Sequence, residues 1–146
     1  MKITICCSAS FFKEANEIGK ELEMLGFDVF LPLTAIKMAK SGNYDVKKVK
    51  TWFADKNDFS KKTRLIWKHF TEIEKADAIL VINNKKHNVE GYIGGNTLIE
   101  MAIAFYLKKP IYILNNVTDK KFMLYEEIMA LNPIFLNGDF SKIVRS

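Results

Sequence analysis

Gly94-Gly95-Asn96-Thr97, with Glu100 three residues further on, is the stretch of this 146-residue chain best equipped for chemistry. Two adjacent glycines can take φ > 0 and let a ligand come close to the backbone. Asn96 or Thr97 can cap a helix, and Thr97–Glu100 has the spacing of a capping box. Leu98, Ile99, Ala102, Ile103, Phe105 and Tyr106 then continue as a helix that is apolar on nearly every side. Glu100 is the odd residue among them. It is either a capping glutamate or a carboxylate beside a glycine-lined anion and ligand site at a helix N-terminus. Spacing alone favours the cap and leaves both open.

The other reactive side chains are few. Cys6 and Cys7 are adjacent within a predicted strand, so they point to opposite faces and do not pair as a disulfide. Their spacing matches no zinc motif, and with only His69 and His87 as further candidates no metal is expected. Free cysteines suit a reducing compartment. The absence of a secretory signal or membrane-length apolar run adds to the expectation of a cytoplasmic protein.

The elements that must position these residues alternate. Lys2–Cys7 reads as a strand buried on both faces. Ser10 can cap a helix from Phe11 to Leu25 that stops at Gly26, and Phe27–Leu31 reads as the second strand. Thr34 to Ser60 holds helical fragments at Ala35–Lys40 and Val46–Phe53; an insertion of this length reads as a lid or a decorated crossover. A helix over Lys61 to Lys75, a strand at Ala78–Ile82 and the polar loop Asn83–Glu90 lead into the Glu100 helix. Pro110–Leu114, a helix around Lys121–Leu131 and a strand at Ile134–Leu136 complete the pattern. The fold expected is α/β, a three-layer flavodoxin/Rossmann-like single domain over 1–146 with a five-stranded parallel sheet. Ligands of such sheets collect at the carboxyl ends of the strands, which places Cys7–Phe12, Asn83–Asn96 and Asn115–Thr118 on one rim.

Common occupants of that rim fail on their motifs. No G-x-G-x-x-G follows the first strand and no Walker lysine motif is present, so dinucleotide and P-loop sites are disfavoured. A cysteine phosphatase of this fold needs an arginine six residues after its nucleophile, where Cys6 has Phe12 and Cys7 has Lys13. Ser8-Ala9-Ser10-Phe11 is a poor flavodoxin phosphate loop, and no cofactor is expected. The net charge is +5, and between Lys37 and Lys68 ten basic residues accompany three acidic ones. Such a stretch attracts phosphates, but no nucleic-acid motif accompanies it, and a solvated lysine face is the commoner meaning.

Ala76-Asp77-Ala78-Ile79-Leu80-Val81, Gly91 to Ala102 and Lys108-Lys109-Pro110-Ile111 together resemble the nucleoside 2-deoxyribosyltransferase-like superfamily. That superfamily includes the 2'-deoxynucleoside 5'-monophosphate N-glycosidases. The likeness extends over most of the chain, and its specific part is Ala76–Leu114. It implies that Glu100 is the catalytic glutamate, attacking C1' of the sugar in a cleavage or transfer of the N-glycosidic bond, with the charge of an oxocarbenium-like transition state to stabilise. An anionic carboxylate is expected from the helix N-terminus. Ser8, Gly95, Asn96 and Thr97, with Gly94, are expected to hold sugar hydroxyls or a 5'-phosphate, and Phe11, Phe12 or Tyr92 to stack on a base.

By the same likeness Thr4 stands where relatives commonly have a tyrosine, and His69 where they have an aspartate that serves the base. His69 is read first as a core-edge residue and second as a proton donor to the leaving base. Cys7 replaces a frequent glycine. The partners implied are a small-molecule nucleoside or nucleotide and, as in relatives, a second copy in a homo-oligomer, with Trp67, Phe105 and Tyr106 as interface candidates. A non-catalytic nucleotide-binding or sensor module is the alternative on the same fold.

Overall fold

The computed structural model describes residues 1–145. Five strands form one sheet: β1 (Lys2–Cys7), β2 (Asp28–Phe30), β3 (Ala78–Ile82), β4 (Ile111–Ile113) and β5 (Ile134–Phe135). Every pairing is parallel, in the order β2-β1-β3-β4-β5. That is the flavodoxin-like order, in which the chain reverses direction across the sheet between β1 and β3 and opens a crevice at their carboxyl ends.

The alternation of side chains on the central strands builds two cores. Ile3, Ile5 and Cys7 of β1 join Ala78, Leu80 and Ile82 of β3 on one face, covered by Ala15 and Leu22 of helix α1 (Phe12–Met24). Cys6 joins Ile79, Val81, Ile111 and Ile113 on the other face. That face is covered by Ile73 of α4 (Phe59–Lys75), Met101 and Ala104 of α5 (Gly95–Tyr106), and Ile128 of α6 (Tyr125–Ala130). Strands buried on both faces need apolar residues at every position, and β3 is AILVI with all five buried.

The stretch 34–60 folds as α2 (Leu33–Ser41), which packs on α1, the four-residue helix α3 (Val46–Val49) and two 3-10 turns at Thr51–Phe53 and Lys56–Asp58. Among the described residues no helix is long and apolar enough to cross a membrane.

Several local expectations are corrected. Ser10 caps nothing: the chain leaves β1 through a 3-10 turn at Ala9–Phe11, and α1 begins at Phe12. Helix α5 begins at Gly95, two residues before the expected Thr97 cap, with extended Gly94 ahead of it and no side-chain cap. Its buried stripe is Thr97, Glu100, Met101 and Ala104 rather than its whole circumference. Phe105 and Tyr106 are exposed, as is Trp67 of α4, so core packing does not account for them.

Candidate functional site

The carboxyl ends of β1 and β3, the N-terminus of α5, the middle of α4 and the 34–60 crossover enclose a cleft of about 310 Å³. Of the residues singled out from sequence, Ser8, Phe12, His69, Tyr92, Gly94, Gly95, Asn96, Thr97 and Glu100 all line it. Phe11 does not. It is 4% exposed within the α1-side core, because the 3-10 turn after β1 rotates it inward and leaves Phe12 at the cleft.

The loop that carries the glycines is held at its base by Asn83, which is fully buried at the end of β3. Its side-chain amide donates to the carbonyl of Asn115 (2.8 Å), and its Oδ1 accepts from the Asn115 backbone N–H (2.8 Å). Gly91 adopts φ +70, and a Cβ there would come within 2.4 Å of the Asn116 carbonyl oxygen. Only glycine fits. Gly94 and Gly95, by contrast, are not at positive φ. A Cβ on Gly95 would meet nothing within 4 Å, so what the absent side chain leaves there is room on the cleft wall.

Glu100 is the sixth residue of α5 and 5% exposed. A capping box is therefore ruled out, since the free N–H groups of the helix end lie a full turn earlier. Asn96 Nδ2 donates to Glu100 Oε1 (2.8 Å), while Glu100 Oε2 is buried without a hydrogen-bond partner. His69 Nε2 lies 3.7 Å from Glu100 Oε1 and 3.6 Å from Cys6 Sγ, and His69 Nδ1 faces Glu72 Oε2 at 3.2 Å. Thr4 is fully buried and does not line the cleft; its hydroxyl donates to the Glu72 carbonyl (3.1 Å).

These contacts set the charges. Burial pushes the Glu100 carboxyl above its ordinary value, and the nearby His69 charge, the Cys6 thiol and the Asn96 amide offset this only in part. The expectation of an anion stabilised by the helix N-terminus is thus corrected: Glu100 is too far along α5 for the helix end, and desolvation dominates. Burial alone would lower His69, but the hydrogen bond to Glu72 and the negative charges of Glu100 and Glu72 outweigh it and raise the imidazole. The Cys6 thiol is pushed well above its ordinary value by burial and by Glu100, and Cys7 is raised mainly by burial.

Sequence reading missed a cluster of lysines on the cleft lining. Lys50, Lys62 and Lys86 line the cleft together with Trp52, and among the described residues none of the three pairs with a carboxylate. Lys86 Nζ donates to Ser8 Oγ (2.8 Å) and stands over the Tyr92 ring. Lys62 stands over Trp52. Burial and then the neighbouring Lys62 lower Lys50; burial and then Lys50 lower Lys86. Crowded cations in a concave site mark a place for an anion. The excess of positive charge over 37–68 was the available signal, but it did not say which lysines converge.

Neither the protein-family models nor the curated proteins contain a match to the chain. Among solved structures, the 2-deoxyribosyltransferase of the psychrotolerant bacterium Bacillus psychrosaccharolyticus matches with a TM-score of 0.53 and 18% identity, over 82% of this chain and 75% of that chain. The two chains share a fold. The expected nucleoside 2-deoxyribosyltransferase-like architecture, with its five-stranded parallel sheet, is therefore present. Chemistry has to be argued from the side chains in the cleft.

Proposed function

We propose that this protein cleaves or transfers the N-glycosidic bond of a nucleoside or nucleoside 5'-monophosphate, with Glu100 as the carboxylate that acts at C1' of the sugar. The observation that carries the reading is Glu100 itself: a buried carboxylate on a cleft wall, oriented by Asn96 and with its second oxygen unpartnered. Burying a carboxylate without full compensation costs several kcal/mol, and nothing in the packing of α5 requires one there. Tyr92 and Phe12 offer aromatic surface for a base, and Gly94 and Gly95 leave backbone open to the sugar.

In the proposed reaction a Glu100 oxygen bonds to C1' as the C–N bond breaks, and the bonding pair leaves on the base nitrogen. That nitrogen takes a proton from His69 or from water. Water then attacks C1' as the bond to Glu100 breaks, its proton passing to His69 or to solvent, and the free sugar leaves with the carboxylate restored; attack by a second base, which gives up its ring N–H proton in the same way, instead gives transfer. His69 in its protonated form also favours the ionised glutamate that attack requires. The lysine wall supports a phosphorylated substrate, with Lys50, Lys62 and Lys86 around the 5'-phosphate.

Homo-oligomerisation through the exposed Trp67, Phe105 and Tyr106 belongs to the same proposal, as does a cytoplasmic setting that suits the unpaired Cys6 and Cys7. A single-chain mass by light scattering at assay concentration removes the oligomer.

The test is chromatography of nucleosides and 5'-monophosphates incubated with the protein, with and without a second free base, beside Glu100→Ala. Base released only by the unmodified protein supports hydrolysis, and a new nucleoside supports transfer. Ligand-induced thermal stabilisation with unchanged ligand replaces the reaction by nucleotide binding. Full activity of Glu100→Ala ends the proposal.

A further inference from the structure

Cys6, His69 and Glu100 are far apart in the sequence, and their spacing matches no metal motif. In the fold their ligand atoms converge: Sγ, one ring nitrogen and one carboxylate oxygen lie within 4.8 Å of one another, and all three residues are buried. His69 Nδ1 faces Glu72, so in the neutral ring with its proton on that side Nε2 is a lone-pair acceptor aimed at Cys6 and Glu100, and an ion there takes the place of the second proton of the imidazolium. Three electron-rich atoms facing one point need something positive between them, either protons or a cation.

We propose that Cys6 Sγ, His69 Nε2 and a Glu100 carboxylate oxygen form a three-ligand site for a divalent ion of the Zn²⁺ type, with the fourth position open to the cleft. Zinc bond lengths and a tetrahedral angle require about 3.6 Å between sulfur and nitrogen and about 3.4 Å between nitrogen and oxygen. The observed separations are 3.6 Å for Sγ–Nε2 and 3.7 Å for Nε2–Oε1, with sulfur and oxygen within 4.8 Å, so an ion has to draw the carboxylate in toward the thiolate. A thiolate, an imidazole and a carboxylate suit a borderline ion rather than Ca²⁺ or Mg²⁺. One thiolate and one carboxylate also neutralise a 2+ charge, which a buried site needs. Glu72 on Nδ1 reproduces the carboxylate–histidine–metal arrangement that orients the ligating ring. The carboxylate is itself left incompletely satisfied: Oε1, the oxygen 3.7 Å from Nε2, also accepts from Asn96, while buried Oε2 has no hydrogen-bond partner. Since His69 and Glu100 both line the cleft, an ion has a path in, and the fourth ligand is water or a cleft-bound molecule.

Ion binding itself is independent of the proposed reaction. Its consequence rests on that reading: an ion on Glu100 occupies the carboxylate that would attack C1', so Zn²⁺ turns the enzyme off.

Chelator-treated protein titrated with Co²⁺ is expected to develop a thiolate-to-metal charge-transfer absorption that saturates at one equivalent and is abolished by Zn²⁺. Cys6→Ser is expected to lose the charge-transfer band, whereas Cys7→Ser, altered on the opposite face of β1, keeps it. Glu72→Gln should weaken Co²⁺ binding by roughly ten- to a hundredfold while leaving the band shape unchanged. No saturable band in the unmodified protein means that protons alone hold the cluster, and overturns the site whether or not any variant folds. A band kept by Cys6→Ser, or lost in Cys7→Ser, overturns the ligand assignment. The absorption needs no substrate, so metal binding without nucleoside turnover leaves this site standing and removes only the reaction. Turnover that Zn²⁺ does not inhibit, alongside saturable binding, removes only the off-switch.

Discussion

Glu100, His69 and Glu72 stand on two helices of 12 and 17 residues packed against the sheet, whereas Lys50 and Lys86 stand beside a four-residue helix and in a turn closed by the Lys86–Val89 bridge. The first wall of the cleft is deeply buried, with Glu100 5% and His69 7% exposed; the lysines are partly open to solvent. Groups that act on bonds must be held to fractions of an ångström by neighbours that cannot move. Groups that attract a charged substituent work over longer distances and tolerate looser support. The comparison therefore assigns chemistry to the buried Glu100–His69 wall and recognition to the lysines, of which α4 itself supplies Lys62, and the two should fail differently when altered.

The largest expected effect comes from Glu100→Gln, which keeps the shape and removes the charge. Turnover should fall by roughly a thousandfold or more, as for loss of a nucleophile. The melting temperature of metal-free protein should hold or rise, because a buried carboxylate with one unpartnered oxygen is replaced by a neutral amide. A variant that loses stability along with activity would make Glu100 a structural residue and dissolve the contrast between the walls.

Lys86→Gln comes next. Loss of a charge-assisted contact to phosphate is expected to lower kcat/KM for a 5'-monophosphate about tenfold, the lower end for a partly exposed group, and to leave the unphosphorylated nucleoside unchanged. The difference between the two substrates should shrink as salt is raised. Equal losses on both would show that Lys86 serves the loop, through Ser8, rather than the phosphate.

A pH profile separates the roles within the buried wall. In metal-free protein the rate should rise with pH as Glu100 ionises, at a midpoint above the ordinary carboxyl value of 4.5 because burial raises it. The charge on His69 favours the anion, so removing it disfavours the anion: in His69→Gln the acid limb should move to higher pH. A base-side limb set by His69, itself raised, should disappear in the same variant. A His69 that only packs would lower the rate evenly and leave both limbs in place.

How much of this was legible in the sequence follows the same division. β1 and β3 are continuous apolar runs, and buried parallel strands have to be, so the sheet could be read directly. The Glu100 helix was visible because a lone carboxylate interrupts an apolar pattern. Its start was misread because extended Gly94 precedes it without a capping side chain. Phe11 and Phe12 look alike in sequence, and only the turn after β1 decides which of them faces the cleft. The Cys6–His69–Glu100 cluster could not be read, since its members come from three elements that meet only in the fold. Nor could the lysine wall be resolved, because short solvated helices leave no periodicity that separates a cleft-facing lysine from an exposed one.

Asp45→Ala tests the weaker wall at its support and should have the smallest effect. Asp45 caps α3 by accepting from the Lys47 N–H at 3.0 Å, and Lys50 is the residue that ends this helix. Loss of such a cap costs about 1 kcal/mol. A helix of four residues with no buried side chain cannot pass that loss to the core, so it should appear as faster amide exchange over 46–50 with the global melting temperature unchanged. Freed from its anchor, Lys50 should hold phosphate less well, with KM for the monophosphate rising a few-fold and kcat unaffected. A fall in kcat instead would mean that the crossover helps to position Glu100, and that the two walls of the cleft act as one.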